Sequence, residues 1–500
     1  MLLKLRVTVC LLVLCISSIA RGEAFDADRL TGLVEAGMAQ WHVPGMAVTV
    51  IDDHEVVFEA GFGLTSIDNG RRVDAHTLFA NASTTKAMVA AGILMLADEG
   101  ALSLDDAVIR HLPEVHFHPA VDTPQITVRD LLAHRTGLPS TDFWTFFQQM
   151  PLDEQISRLR FVVPESAPRT RLIYQNTMYE LAGLIIERVS GKRWDRFLAE
   201  RLWSPIGMRE TYGSRGQIPA RKRHVRPHDY LGGELVELPY DLPADTADAA
   251  GSVWSSIHDM SLWARFLLRG AITADGRRLI SEAGLRAMFE PQQFASPEDF
   301  YPTVELTTPD WRTYGLGWFQ QNFQGRKIEF HTGSLDGLVA IMGLDRQDGR
   351  AVVVMGNRDH AELRHAILWD VMDDTAVSSR RDWSREVFDL YARIDQRSRE
   401  SWKEVEASRL RDKPASLPVE AYAGTYRSAK NGDILIEFGE RGLQTRIGNY
   451  QYQLSHWHLD TFLVTYPFWR NGRLSTFTIG PDGSVTSVEF FDEHFQRVRD

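Results

Sequence analysis

The switch of apolar residues from helical to strand spacing near Tyr314 constrains the fold more than any other feature. Up to Leu268 the dominant spacing is helical, three to four residues, over Asp26–Trp41, Ser83–Glu99, Thr127–His134, Thr177–Ser190, Trp194–Leu202 and Ser256–Leu268. Gly100 follows the second of these, where a helix end is expected, and Ser256 with Asp259 reads as a capping box. Between Tyr314 and Met355 strands take over: Gly317–Asn322, Lys327–His331, Val339–Leu344 and Ala351–Met355, with turns at Gln324-Gly325 and Asp348-Gly349. One hairpin stands at the front, Met46–Val50 and Glu55–Phe58 about Asp52-Asp53. Helices followed by an antiparallel meander do not give alternating βαβ units, so the class is α+β.

A composition break follows. Residues Ser378 to Lys413 are highly charged and helical in pattern, and Pro414 and Pro418 end them. From Tyr422 to Val498 short strands are punctuated by Asn431-Gly432, Arg441-Gly442, Asn471-Gly472 and Asp482-Gly483. Turns at that density predict a small antiparallel barrel or sandwich. In the same region the aromatic stretch Phe462–Trp469 is read as barrel core, not as a carbohydrate platform.

Both cysteines, Cys10 and Cys15, lie in the first 20 residues, in a segment with Lys4, Arg6 and an apolar run from Val7 to Ile16. That pattern is a secretory signal, with cleavage expected after Ala20 or Ala24. The mature chain would then have no cysteine, hence no disulfide, thiolate nucleophile or Cys-ligated zinc. The expected location is periplasmic or secreted, with no membrane span. Acidic residues outnumber basic ones, 67 to 55, a net charge of −12 that excludes nucleic acid as the main partner.

Three short motifs carry chemistry. Ser83-Thr84-Thr85-Lys86 puts a hydroxyl and an amine three apart on one helix face, and it is the only such pair although the chain has just 8 lysines. A neutral lysine there can take the serine proton. Tyr174-Gln175-Asn176 offers a phenol to share or relay a proton and an Asn amide to hold a substrate amide group. His331-Thr332-Gly333-Ser334 ends a strand, and a glycine at that point lets a ligand approach the backbone. Each tetrapeptide or tripeptide alone is better explained as a helix start, a core tyrosine or a strand end. All three together, in this order, are not.

The triple resembles that of penicillin-binding proteins and class C β-lactamases, across roughly residues 26–370. Supporting stretches are Leu131–Leu138, Ala250-Gly251-Ser252 and Tyr314–Trp318. The resemblance implies a β-lactamase-like antiparallel sheet flanked by helices over 25–377, after a signal peptide over 1–24. A helical linker over 378–418 and a lipocalin-like β domain over 419–500 would follow. It makes Ser83 the nucleophile, Lys86 its base and Tyr174 the proton donor to the leaving group. Asn176, His331, Thr332, Gly333 and Ser334 would bind substrate, and the N–H groups of Ser83 and Ser334 would form the oxyanion hole. The β-lactamase pattern has Lys where this chain has His331, expected on a strand edge facing the substrate. That departure points to D-aminopeptidases, D-peptidases and related esterases, acting on small peptides, amides or esters, some peptidoglycan-derived. The alternatives are a true β-lactamase or D,D-peptidase, and a weakly catalytic ligand sensor. No cofactor and no metal are expected. His111, His116 and His118, like His456 and His458, are read as surface histidines because no ligand spacing completes them. No G-x-S-x-G nucleophile elbow or phosphate-binding P-loop occurs. The oligomeric state is open.

Overall fold

A computed structural model describes residues 25–121, 123–239, 248–375, 380–469 and 471–499. The expected signal peptide lies outside the described residues. Eight strands form the central antiparallel sheet: β1 Gly45–Asp52, β2 Glu55–Gly63, β3 Gln293–Phe294, β4 Arg312–Tyr314, β5 Phe319–Phe323, β6 Arg326–Leu335, β7 Leu338–Asp345 and β8 Arg350–Gly356. Their order is β2-β1-β8-β7-β6-β5-β4-β3. The front hairpin therefore joins the last strand of the meander, with Met46 opposite Gly356 and Val50 opposite Val352.

The sheet separates two cores, and strand alternation shows it. In β1, Met46, Val48 and Val50 face one apolar cluster, while Ala47 and Ile51 face the other. On the first face lie helices α1 Ala27–Trp41, α5 Leu363–Met372 and the start of α6 Trp383–Ala407. On the second lies a helical lobe built around α2 Thr85–Asp98, α3 Asn176–Ser190 and α4 Ile257–Leu268. Helix α2 is buried on every side from Thr85 to Leu96, which suits a helix enclosed by others. Its Gly92 allows the close packing: a Cβ there would stand 2.8 Å from Leu198 and 3.0 Å from Ile186.

Two local readings are corrected. The Ser256–Asp259 pair is only half of a capping box. Ser256 Oγ accepts from Asp259 N, but the Asp259 carboxylate accepts instead from Glu210 N and Thr211 Oγ1, at 2.6 and 2.8 Å. The reciprocal box is made by Thr127 and Asp130, on a helix of only five residues. The pattern over Trp194–Leu202 is likewise two elements, an α-helix to Leu198 and a π-helical turn from Ala199 to Trp203.

The C-terminal strands, from Gly424–Ser428 to Glu493–Arg497, close into an eight-stranded antiparallel barrel. Closure leaves no sheet edge open. The barrel docks on the π-helical turn Phe143–Gln148 of the helical lobe. There Trp144 Nε1 donates to Asn431 Oδ1 at 2.8 Å, and a Cβ on Gly448 would stand 2.4 Å from the Phe147 carbonyl oxygen. Phe143 packs on Phe491 and Phe147 on Trp469. No described helix is long and apolar enough to cross a membrane.

Candidate active site

The strand Leu78–Ala80 runs into a 3-10 turn, Ala82–Thr84, which leads directly into α2. Ala82 has φ +46°, a left-handed conformation unfavourable for a residue with a side chain. The next residue is Ser83, half-buried at the helix start, with Lys86 fully buried one turn on.

Lys86 Nζ lies 2.9 Å from Ser83 Oγ, 2.8 Å from Asn176 Oδ1 and 2.7 Å from the Ala250 carbonyl oxygen. Two of these three groups can only accept. A neutral amine has two N–H bonds for them and one lone pair left for the Ser83 hydroxyl proton. Burial lowers the Lys86 pKa to about 7 against the opposing charges of Glu180 and Asp142, so that neutral form is populated near neutral pH. The same network fixes Asn176: its oxygen faces Lys86, while its Nδ2 donates to Asp142 Oδ1 at 2.8 Å.

Tyr174 completes the group. Its ring centroid is 5.0 Å from Lys86 Nζ, and its hydroxyl shares a hydrogen bond with Ser83. Burial first, and Tyr301 second, push its pKa well up, so it is a neutral phenol with a proton to give. His134 lies against the Tyr174 ring at 4.2 Å between centroids, and its Nδ1 accepts from Gln175 N.

Strand β6 supplies the opposite wall. It pairs with β5 only as far as Phe330, and its remaining residues pass beside the Ala82–Thr84 turn. Gly333 is required there: a Cβ would stand 2.2 Å from the Asn81 carbonyl oxygen and 3.0 Å from Ser83 N. This contact places the Gly333–Ser334 peptide beside the N–H of Ser83. The Gly333 carbonyl accepts from Arg364 Nη1, which also donates to Ala340 O at 3.1 Å. Arg364 is itself held by both oxygens of Glu362, at 3.0 and 3.1 Å.

His331 is placed differently from the expectation of an exposed strand edge. It is 1% exposed, with Nε2 3.1 Å from Tyr314 Oη and Nδ1 2.6 Å from its neighbour's carbonyl oxygen, Thr332 O. Burial and nearby Lys86 lower its pKa to about 3, so it is a neutral wall residue. Thr332 is also buried, hydrogen-bonded to Tyr301 Oη, whereas Ser334 is exposed. The structure thus brings Ser83, Lys86, Tyr174, Asn176, Gly333 and Ser334 to one place, with His331 behind the aromatic layer.

A cavity of about 250 Å³ opens beside Ser334. One side comes from the larger, N-terminal unit; the other is formed by barrel aromatics, including Tyr452, Tyr466, Phe468 and Trp469. The stretch Phe462–Trp469 is therefore divided: Phe462 and Val464 are barrel core, but its end turns to the cavity. Among the described residues no cluster of three or more metal-binding side chains occurs, and His111 pairs with Asp106 at 2.9 Å.

The family model described as Beta-lactamase matches residues 30–377. The chain belongs to the β-lactamase family of serine hydrolases. Residues 408–499 match a second model, Domain of unknown function (DUF3471). Among relatives of this family member, the unguisins hydrolase ungD' of Aspergillus campestris is 29% identical over 437 residues, covering 81% of this chain and 76% of that protein. The penicillin-binding protein homologue of Pyrococcus abyssi, an octamer, superposes with a TM-score of 0.62 at 21% identity, covering 94% and 100% of the two chains. The D-amino acid amidase of Ochrobactrum anthropi SV3 gives 0.57 at 22% identity, covering 74% and 99%. These likenesses show a shared fold, and the family assignment makes the protein an enzyme.

Sequence reasoning missed Asp142, which orients Asn176, and Arg364, which grips the Gly333 carbonyl. Neither sits in a motif. The Ala250 carbonyl was within a quoted stretch, but nothing in the sequence shows a backbone acceptor.

Proposed function

We propose that the protein hydrolyses an amide or ester bond through an acyl-enzyme on Ser83, with D-aminopeptidase, D-peptidase or esterase selectivity. The observation that carries this reading is the Lys86 amine, 2.9 Å from Ser83 Oγ with its N–H bonds committed to Asn176 and Ala250. The lone pair takes the hydroxyl proton as Oγ attacks the carbonyl carbon. The N–H groups of Ser83 and Ser334 stabilise the oxyanion, each such donor being worth about 3 kcal/mol. Tyr174 passes a proton to the leaving group, the bond to that group breaks, and water then attacks the ester with the same groups acting in reverse.

The lack of a cation at position 331 supports this selectivity. A neutral imidazole behind the aromatic layer offers no fixed charge for a substrate carboxylate, which argues against a β-lactamase or D,D-peptidase. A lysine introduced there would stand buried near Lys86, not on an open edge. The D-amino acid amidase among the similar proteins supports amide substrates. The leader-like first 24 residues support export to the periplasm or medium.

The test is mass spectrometry after treatment with a fluorophosphonate, followed by turnover of D-aminoacyl amides, short-chain esters and β-lactams. A single adduct on Ser83 with turnover of amides or esters is expected. No adduct would leave the ligand-sensor reading standing, and preferential β-lactam turnover would overturn the selectivity argument.

A further inference from the structure

One short segment carries both a support of the reacting groups and docking contacts of the barrel. At its start Asp142 accepts from Asn176 Nδ2 at 2.8 Å, and Asn176 Oδ1 accepts from Lys86 Nζ at 2.8 Å. Thr141 bonds the residues on either side of Asn176, Gln175 Oε1 at 3.2 Å and Thr177 Oγ1 at 2.7 Å. Directly after Asp142 comes the π-helical turn Phe143–Gln148, a rare winding that recurs mostly at functional sites. Its polar side chains reach to the barrel. Trp144 Nε1 donates to Asn431 Oδ1 at 2.8 Å with both residues fully buried, and Gln148 Nε2 donates to the Asn431 carbonyl. Asn431 lies in turn 429–431, between the barrel strands Gly424–Ser428 and Gly432–Gly439, and is 287 positions from Trp144.

We propose that Asn431 is a positioning residue for the acylation step: through Trp144 it fixes the π turn, and the turn fixes the Asp142 carboxylate that orients Asn176 and faces Lys86. The barrel then takes part in setting the reacting groups, besides walling the cavity. The inference rests on the serine-hydrolase reading of Ser83 and gives the barrel a role within it. Trp144 and Asp142 are two residues apart on one turn, so a shift of the indole carries the carboxylate with it. A displacement of about 1 Å, begun far from the chemistry, can cost roughly a hundredfold in rate. Charge moves as well as geometry. The titratable groups around Lys86 are Asp142, Glu180, Tyr174, Tyr179, His134 and His331. Burial pushes the tyrosines and Glu180 up and the two histidines down. Against the lowering by burial, Glu180 raises the Lys86 pKa from α3, and Asp142 raises it from the docking segment. Of those two charges, Asp142 is the one that moves with the barrel contact.

The experiment follows, in the full chain and as a function of pH, the second-order rate at which a fluorophosphonate labels Ser83. In the wild-type protein the rate should rise through about pH 7, where Lys86 loses its proton. Asn431→Leu and the milder Trp144→Phe break the same hydrogen bond from its two ends. Each should lower the plateau rate about tenfold and move the midpoint to lower pH, because a displaced Asp142 no longer favours the charged amine. Asp142→Ala is the reference and should show the full displacement in both. Added to Asp142→Ala, Asn431→Leu should change the rate by no more than about twofold and leave the midpoint in place, since its route is already cut. A lower rate with an unmoved midpoint in both single variants would make the contact structural only and overturn the proposal. Wild-type rates in both, or a further loss in the Asp142→Ala background, would overturn it too. Failure of the fluorophosphonate to label wild-type Ser83 is the separate result that removes the hydrolase reading, and the positioning role with it.

Discussion

The two walls of the active site are built on opposite principles. On the Ser83 side every polar side-chain atom of Lys86 and Asn176 has a named partner within 2.9 Å, and the group sits between the starts of α2 and α3. On the barrel side the cavity wall is aromatic and assembled from strands far along the chain. The first wall is set before substrate arrives, as transition-state stabilisation requires, because fixed dipoles need no reorganisation during reaction. The reacting groups and the barrel aromatics are thus held on separate structural units that meet at the cavity beside Ser334.

The largest effect that would break this comparison lies on the first wall. Ser83→Ala should reduce turnover by roughly 10⁴-fold or more, yet shift thermal unfolding little, because the hydroxyl faces an open site. Substantial residual hydrolysis by the purified variant would remove Ser83 from its role. Next is pH. With the Lys86 amine near 7, its neutral form grows as pH rises, so kcat/KM for acylation should climb through about pH 7 and level off above it. Lys86→Met should cost about 10²- to 10⁴-fold in kcat, and a flat profile in the wild type would mean another group takes the proton.

Arg364→Met tests whether the β6 side of that wall is set by its support. The substitution leaves Glu362 buried without its cation, a loss of about 3–5 kcal/mol in denaturant unfolding. It also frees the Gly333 carbonyl. An acyl-enzyme carbonyl stretch moved to higher frequency in the infrared would show a weakened oxyanion hole; an unmoved band would limit Arg364 to stability. The smallest effect belongs to the barrel. Trp469→Ala should raise KM by about three- to tenfold, more than it lowers kcat, since it removes part of a binding face and none of the reacting groups. A larger loss in kcat than in KM would erase the division between the two walls.

How much was legible in the sequence follows the same division. Ser83 and Lys86 meet because helical spacing puts i and i+3 on one face, which is local geometry. The meander and the Gly-marked turns were readable from period and composition for the same reason. His331 shows the limit. Its type was visible, but its burial behind Tyr174 and Phe319 depends on rings from other parts of the chain.

The sequence by itself determined the α+β class, the closing run of short strands and the three motifs, because these depend on residues within about one turn or one hairpin of each other. Tertiary structure alone decided the rest. It joined the front hairpin to β8, set Arg364 behind the Gly333 carbonyl and Asp142 behind Asn176, and turned one end of Phe462–Trp469 out of the barrel core toward the cavity beside Ser334. Those contacts are between residues up to several hundred positions apart, and no local spacing encodes them. Their energies depend on burial, and burial exists only once both units are packed together.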